Sequence, residues 1–219
     1  MIINAVGCPY SGTDILRSLL AGAGVRTRLG GLVLDRRLVD RRIPYDCYNF
    51  PEWVTKWIDE SEMSGENDYM HREKDFFHDA WERFSIMYAL EQKYPKLRFL
   101  IILRDPRAVI GDWFKGTTGP EVTIDTYRDT VLRIYQFMWE QVDLMKNKPI
   151  IMDYDLSHYL QLIFEMFKIE NSLENIHKAQ GFLKGSYTKT EMYEGDISEI
   201  LFYLNKIKGV KRKNYFFQH

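Results

Sequence analysis

Residues 2–20, Ile2-Ile3-Asn4-Ala5-Val6-Gly7-Cys8-Pro9-Tyr10-Ser11-Gly12-Thr13-Asp14-Ile15-Leu16-Arg17-Ser18-Leu19-Leu20, read as a short buried strand, a glycine-bounded turn and an amphipathic helix. Ile2 to Val6 is an apolar run with β-branched residues. Gly7 and Gly12 bracket the turn, and Ile15, Leu16, Leu19 and Leu20 recur on one helical face. A helix beginning near Thr13 presents backbone N–H groups and the positive end of its dipole, which favours an anion there. The hydroxyls of Ser11 and Thr13 would add donors. The spacing is close to a Walker A loop, but Thr13 stands where the Lys would be and Asp14 where Ser or Thr would be. The stretch therefore predicts a loop for a phosphate-like anion, without the lysine of an ordinary ATPase or GTPase.

Further along, helical and strand patterns alternate. Phe77, Trp81, Phe84 and Tyr88 make a helical stripe that ends near Tyr94-Pro95. Arg98-Phe-Leu-Ile-Ile-Leu103 is short and β-branched enough for a buried strand. Asp105-Pro106 punctuates it, and Pro106 suits the first turn of a helix that runs to Gly116–Gly119. Ile124, Tyr127, Val131, Ile134, Met138, Val142 and Met145 predict a long helix. Ile150–Met152 is another strand candidate, and Leu156, Tyr159, Leu160, Ile163 and Phe167 mark a helix. Asp196-Ile-Ser-Glu199 resembles a capping box before Ile200, Leu201 and Leu204. This order implies βαβ units, hence an α/β fold with a parallel sheet flanked by helices. Ligands of such sheets bind beyond the carboxyl ends of the strands, where the loop after Val6 and the turn after Leu103 would meet.

The chain has 219 residues and 45% hydrophobic content, enough for one domain, 1–219, with a real core. A formal net charge of -1 gives no global field toward nucleic acid or an anionic membrane. Two cysteines, Cys8 and Cys47, make neither a disulfide framework nor a metal site. No signal peptide and no membrane span are expected, so the reading is a soluble, cytoplasmic protein. Residues 25–76 are the least regular part. Six arginines cluster between Arg26 and Arg42. They read either as a solvated surface, with Asp35 and Asp40 as partners, or as a basic rim for an anionic acceptor. Trp113 and Trp139 read as core residues rather than adenine-stacking groups.

Four segments together resemble the sulfotransferase family whose donor is 3′-phosphoadenosine 5′-phosphosulfate, PAPS. Pro9-Tyr-Ser-Gly-Thr13 is similar to its 5′-phosphosulfate loop. Tyr94-Pro-Lys-Leu-Arg-Phe-Leu-Ile-Ile-Leu-Arg-Asp-Pro-Arg-Ala-Val109 is similar to its 3′-phosphate segment. Lys148-Pro-Ile-Ile-Met-Asp-Tyr-Asp-Leu156 resembles its later strand, and Phe182-Leu-Lys-Gly185 its C-terminal Lys-Gly loop. The order and spacing of the four cover most of the chain. Residues 25–76 fall outside the match and would be a variable, acceptor-side region.

The resemblance implies a P-loop-like three-layer sandwich and transfer of a sulfuryl group from PAPS to a hydroxyl or amine of a small-molecule or carbohydrate acceptor, without a metal. It implies that Pro9, Tyr10, Ser11, Gly12, Thr13 and Asp14 hold the phosphosulfate. Arg104, with Asp112 nearby, would meet the 3′-phosphate, and Lys184 and Gly185 would close on it. Arg104 has a second reading, a pair with Asp105 or Asp112. Lys184-Gly185 could equally be a surface dipeptide. Lys74 and His71 are the candidates for the catalytic base. His78 lies in the same neighbourhood.

Three positions depart from the family pattern. Tyr10 replaces a basic residue before Ser-Gly-Thr, Asp14 replaces a common Thr, and Asp112, eight residues after Arg104, replaces a Ser. A carboxylate there would repel a 3′-phosphate. Arg17, Lys74, Arg107 or Lys115 could compensate, or the donor differs. Two other functions stay open: a P-loop nucleotide or phosphate transferase, and a non-catalytic anion-binding or nucleotide-binding protein on the same scaffold.

Overall fold

The computed structural model describes residues 2–25, 27–29, 68–71, 87–93, 95, 97–116, 123–187 and 190–210. Ile2–Gly7 forms strand β1 and Thr13–Gly22 helix α1, with only the turn between them. Strands β2, Thr27–Leu29, and β3, Asp68–His71, follow. Helix α2, Met87–Lys93, leads to β4, Arg98–Leu103. Helices α3, Pro106–Gly116, and α4, Ile124–Leu144, then precede β5, Ile150–Asp153. After a 3-10 turn at Leu156–Tyr159 come α5, Leu160–Met166, α6, Leu173–Ser186, and α7, Ser198–Lys208.

The five strands form one sheet in the order β2-β3-β1-β4-β5, with every pairing parallel. Alternation along β4 shows why it lies inside. Phe99, Ile101 and Leu103 face one core, and Leu100 and Ile102 the other. The first core is closed by Val109, Ile110 and Trp113 of α3, Val131, Ile134 and Met138 of α4, and Ile200 and Leu204 of α7. The second is closed by Leu16, Leu19 and Leu20 of α1, Ile163 and Phe164 of α5, and Ala179 and Leu183 of α6. A strand buried on both faces needs a continuous apolar run, and β4 has one. The fold is the expected three-layer α/β sandwich.

Helix α3 begins at Pro106, whose missing N–H costs nothing in a first turn. Buried polar groups are paired in the connections. Glu91 is buried and accepts the N–H groups of Lys146 (3.0 Å) and Asn147 (2.5 Å), fixing the link from α4 to β5. Trp113 lies in the core and Trp139 packs against it, as expected. Among the described residues no helix is long and apolar enough to cross a membrane.

Several local expectations differ. The 25–76 region contains two strands, β2 and β3, that extend the sheet beyond β1; neither has a long apolar run to announce it. The expected helix from Leu156 opens as a 3-10 turn. Asp196 is not a capping-box partner of the residue three on. Its carboxylate accepts the Ser198 N–H (2.9 Å) and hydroxyl (3.2 Å), and α7 starts at Ser198. Phe182-Leu-Lys-Gly185 is helix, the last turns of α6, rather than loop. Ser172 caps that helix by accepting the Asn175 N–H (3.3 Å). The stripe from Phe77 to Phe84, Lys74, His78 and the arginine cluster apart from Arg28, which lies in β2, fall outside the described residues.

Candidate functional site at the carboxyl edge of the sheet

Strands β1, β4 and β5 are adjacent and parallel, so the residues following Gly7, Leu103 and Asp153 emerge on one edge. The turn after β1 closes on itself when the Ser11 N–H donates to the Cys8 carbonyl (3.0 Å). The Ser11 N–H is thus used within the turn and is not left for an anion. Tyr10 adopts a left-handed φ of 63° and Gly12 one of 92°. Gly12 is needed twice over. An L-residue there would be strained, and a Cβ would stand 2.8 Å from ring carbons of Tyr154. The Gly12 carbonyl accepts the N–H groups of Ile15 (3.1 Å) and Leu16 (3.2 Å), so α1 grows directly from the turn.

The side chains of the turn are arranged otherwise than the sequence implied. Ser11 is completely buried, with its Oγ against Gly7 and no hydrogen-bond partner among the described residues. Its hydroxyl is enclosed rather than presented to an anion at the mouth. The Tyr10 ring packs on the α3–α4 core, and its hydroxyl meets Gly116, where any side chain would collide with it. Cys8 is buried and its thiol pushed up by that burial, so it stays a protonated core residue. Pro9, Thr13 and Asp14 are half-buried along the rim of the turn. Arg17, one turn into α1, has a buried Nε without a hydrogen-bond partner among the described residues.

Arg104 follows β4 directly and is only 8% exposed. Its Nη1 donates to the Tyr10 carbonyl (2.7 Å), joining the end of β4 to the turn after β1. Its Nη2 meets Asp112 Oδ2 (2.7 Å) and donates to Thr190 Oγ1 (2.6 Å). The guanidinium lies 4.3 Å from the centroid of the Tyr154 ring. From behind, the buried Tyr135 hydroxyl donates to the Arg104 carbonyl (3.0 Å). The open reading of Arg104 as an ion-pair residue is therefore realised with Asp112. Asp105 instead accepts the Arg107 N–H (2.9 Å) at the start of α3.

Tyr154 is the pivot of this edge. Its ring touches the Gly12 turn and Arg104 and packs against Tyr187 at a centroid distance of 5.0 Å. The Tyr187 hydroxyl accepts the Leu156 N–H (2.9 Å) and donates to the Tyr154 carbonyl (3.2 Å), tying the end of α6 to the end of β5. Burial raises the Tyr187 phenol to about 12, although the Leu156 hydrogen bond acts to lower it, so it remains protonated. Lys184 and Gly185, one turn earlier, are exposed on α6. His71 ends β3 with its backbone opposite Ala5 of β1, two strands from Arg104.

Thr190 and Tyr187 were not singled out from the sequence, and Tyr154 carried no role there. Tyr154 could have been found by the rule that drew attention to Arg104, since it stands just past a strand's carboxyl end. Thr190, 86 residues from Arg104, has no local signal.

No protein-family model and no curated protein matches the chain. Its fold is similar to that of the sulfotransferase STF9 from Mycobacterium avium, at a TM-score of 0.53 and 11% identity, covering 96% of this chain and 77% of that one. Weaker likenesses are to a retinol dehydratase solved with androsterone and inactive cofactor PAP (TM-score 0.40, 13% identity, 83% of this chain and 64% of that one) and to a gluconokinase from Sinorhizobium meliloti 1021 (0.31, 9%, 84% and 91%). The chain has a sulfotransferase-like fold.

Proposed function

We propose that this chain transfers a sulfuryl group from a nucleoside phosphosulfate, PAPS in the family it resembles, to a hydroxyl or amine of a small-molecule or carbohydrate acceptor. The observation that carries the reading is the junction of Arg104 with the glycine turn, through the Tyr10 carbonyl, at the carboxyl edge of a sulfotransferase-like sheet. An anion at the turn lies before the N-terminus of α1, where the helix dipole favours negative charge. Sulfuryl transfer, like phosphoryl transfer, asks mainly for in-line positioning and for neutralisation of a charged leaving group. Pro9 to Asp14 would position the phosphosulfate. Arg104, paired with Asp112, would brace the turn through the Tyr10 carbonyl, and Lys184 would add a cation from the end of α6. Lys74 or His71 would take the acceptor proton. We take 1–219 as one domain acting in the cytoplasm, with residues 25–76 on the acceptor side.

The test is calorimetric titration of the full chain with adenosine 5′-phosphosulfate, adenosine 3′,5′-bisphosphate, and ATP plus magnesium. Binding of either of the first two without magnesium, followed by sulfation of a model hydroxyl acceptor from a phosphosulfate donor, is the expected result. Binding of ATP–magnesium alone would overturn the proposal, because phosphoryl transfer needs the metal.

A further inference from the structure

We propose that Asp112 makes the Arg104 cluster beside the turn a reader of a hydroxyl rather than of a second phosphate. The nucleotide it takes then carries its anionic group at the 5′ end and a free 3′-hydroxyl. This rests on the nucleotide reading above and narrows the donor within it. The proposed function gives the turn, at the N-terminus of α1, to an anion; the half at Arg104 does not fit another.

Arg104 is already engaged. Of its five N–H groups, those on Nη2 serve Asp112 Oδ2 (2.7 Å) and Thr190 Oγ1 (2.6 Å), and one on Nη1 serves the Tyr10 carbonyl (2.7 Å). Two-pronged capture of a phosphate needs a free edge of the guanidinium fork, and Asp112 and Thr190 occupy Nη2. The Tyr154 ring, 4.3 Å away, and the Tyr135 hydroxyl on the Arg104 carbonyl hold the residue where it is. A phosphate arriving beside this pair would meet a carboxylate at hydrogen-bond distance, in a place where Asp112 is only 18% exposed and screening is weak.

A ribose hydroxyl meets the opposite situation. Both contacts of Asp112 among the described residues, with Arg104 and the Thr190 hydroxyl, are made by Oδ2, which leaves Oδ1 with accepting capacity beside Arg104. A hydroxyl donates to such a carboxylate without repulsion. A carboxylate near a glycine turn is the chemistry by which nucleotide sites select an unphosphorylated ribose.

The experiment is titration calorimetry of the full chain with adenosine 5′-phosphate and with adenosine 3′,5′-bisphosphate at matched ionic strength. We expect the monophosphate to bind at least about tenfold more tightly. Asp112→Asn keeps the shape and removes the charge, and should shift the ratio about tenfold toward the bisphosphate. Equal or tighter binding of the bisphosphate by the unsubstituted chain overturns the inference and leaves the nucleotide reading standing. Binding of neither nucleotide overturns the nucleotide reading, and this inference with it. Thermal melts accompany the variant, since it leaves Arg104 without its carboxylate. Should it fail to fold, the ratio in the unsubstituted chain decides alone.

Discussion

At the scale of single residues, Ser11 and Arg104 invite opposite substitutions. The Ser11 hydroxyl is buried without a hydrogen-bond partner among the described residues, so it contributes desolvation cost and no bond. Ser11→Ala should leave stability unchanged or raise it by up to about 1 kcal/mol. A loss of that size in urea unfolding would instead reveal a partner for the hydroxyl. Arg104→Ala removes one member of a largely buried pair and strands Asp112, which should cost about 3 kcal/mol or more. Arg107→Ala, at an exposed position, should stay within about 0.5 kcal/mol. Equal small effects would mean that the Arg104–Asp112 pair is not holding the edge together. What the sequence made legible here was a charge at the end of an apolar strand, with two readings. Choosing between them required Asp112 to be brought round by the first turns of α3, and Thr190 from 86 residues away.

Among the elements, β1, α1, β4, α3, α4 and β5 were readable because each carries its own period. β4 is apolar on both faces, and α4 buries Tyr127, Val131, Ile134, Met138 and Val142 at three- and four-residue steps. β2 and β3 were missed because short strands at one side of a sheet draw on pairing with a neighbour, not on an apolar run of their own. α6 was missed in part because the resemblance cast its last turn as a loop. One element contact should show itself in pH. Asp153 ends β5 and meets Lys208 of α7 (2.8 Å) and the Tyr159 hydroxyl (3.1 Å). Burial acts to raise its carboxyl, but the hydrogen bond and charge of Lys208 with the Tyr159 bond outweigh it, and the group sits below its ordinary value. A carboxyl lowered in the folded state contributes stability that is complete above its unfolded value and is lost as pH falls through the folded one. Urea unfolding followed from about pH 5 down to about pH 2 should therefore lose stability less steeply in Asp153→Asn than in the unsubstituted chain. Parallel curves would mean that Lys208 gives Asp153 no preference for the charged form.

Across the whole molecule, the site depends on a strap that returns late in the chain. After α6 the backbone comes back over α3, where the Tyr193 N–H donates to the Arg107 carbonyl (3.2 Å) and the Glu191 carbonyl lies against Gly111. Tyr193 then reaches Asp125 (2.7 Å), and Arg128 the Asp196 carbonyl (3.2 Å), both from α4. These contacts place Thr190 over Arg104, so the first core layer, the strap and the edge of the sheet form one mechanical unit. A Cβ at Gly111 would collide with the backbone oxygen of Glu191, which unlike a side-chain tip cannot turn aside. Gly111→Ala should therefore lift the strap and cost about 1–3 kcal/mol. Thr190→Val, which keeps the shape and removes the hydroxyl bonded to Arg104, should cost about 1 kcal/mol by itself. If the strap acts by delivering Thr190, the two losses will not add: once Gly111→Ala has raised the strap, the Thr190 bond is already gone, and the double variant should be less destabilised than the sum by about 0.5 kcal/mol or more. A double-mutant cycle in urea measures this directly, and nucleotide titration of the same four proteins shows whether the loss reaches the site. Strict additivity, with Gly111→Ala leaving nucleotide affinity untouched, would separate the strap from the site and leave the placing of Arg104 to Asp112, Tyr154, Tyr135 and the Tyr10 carbonyl.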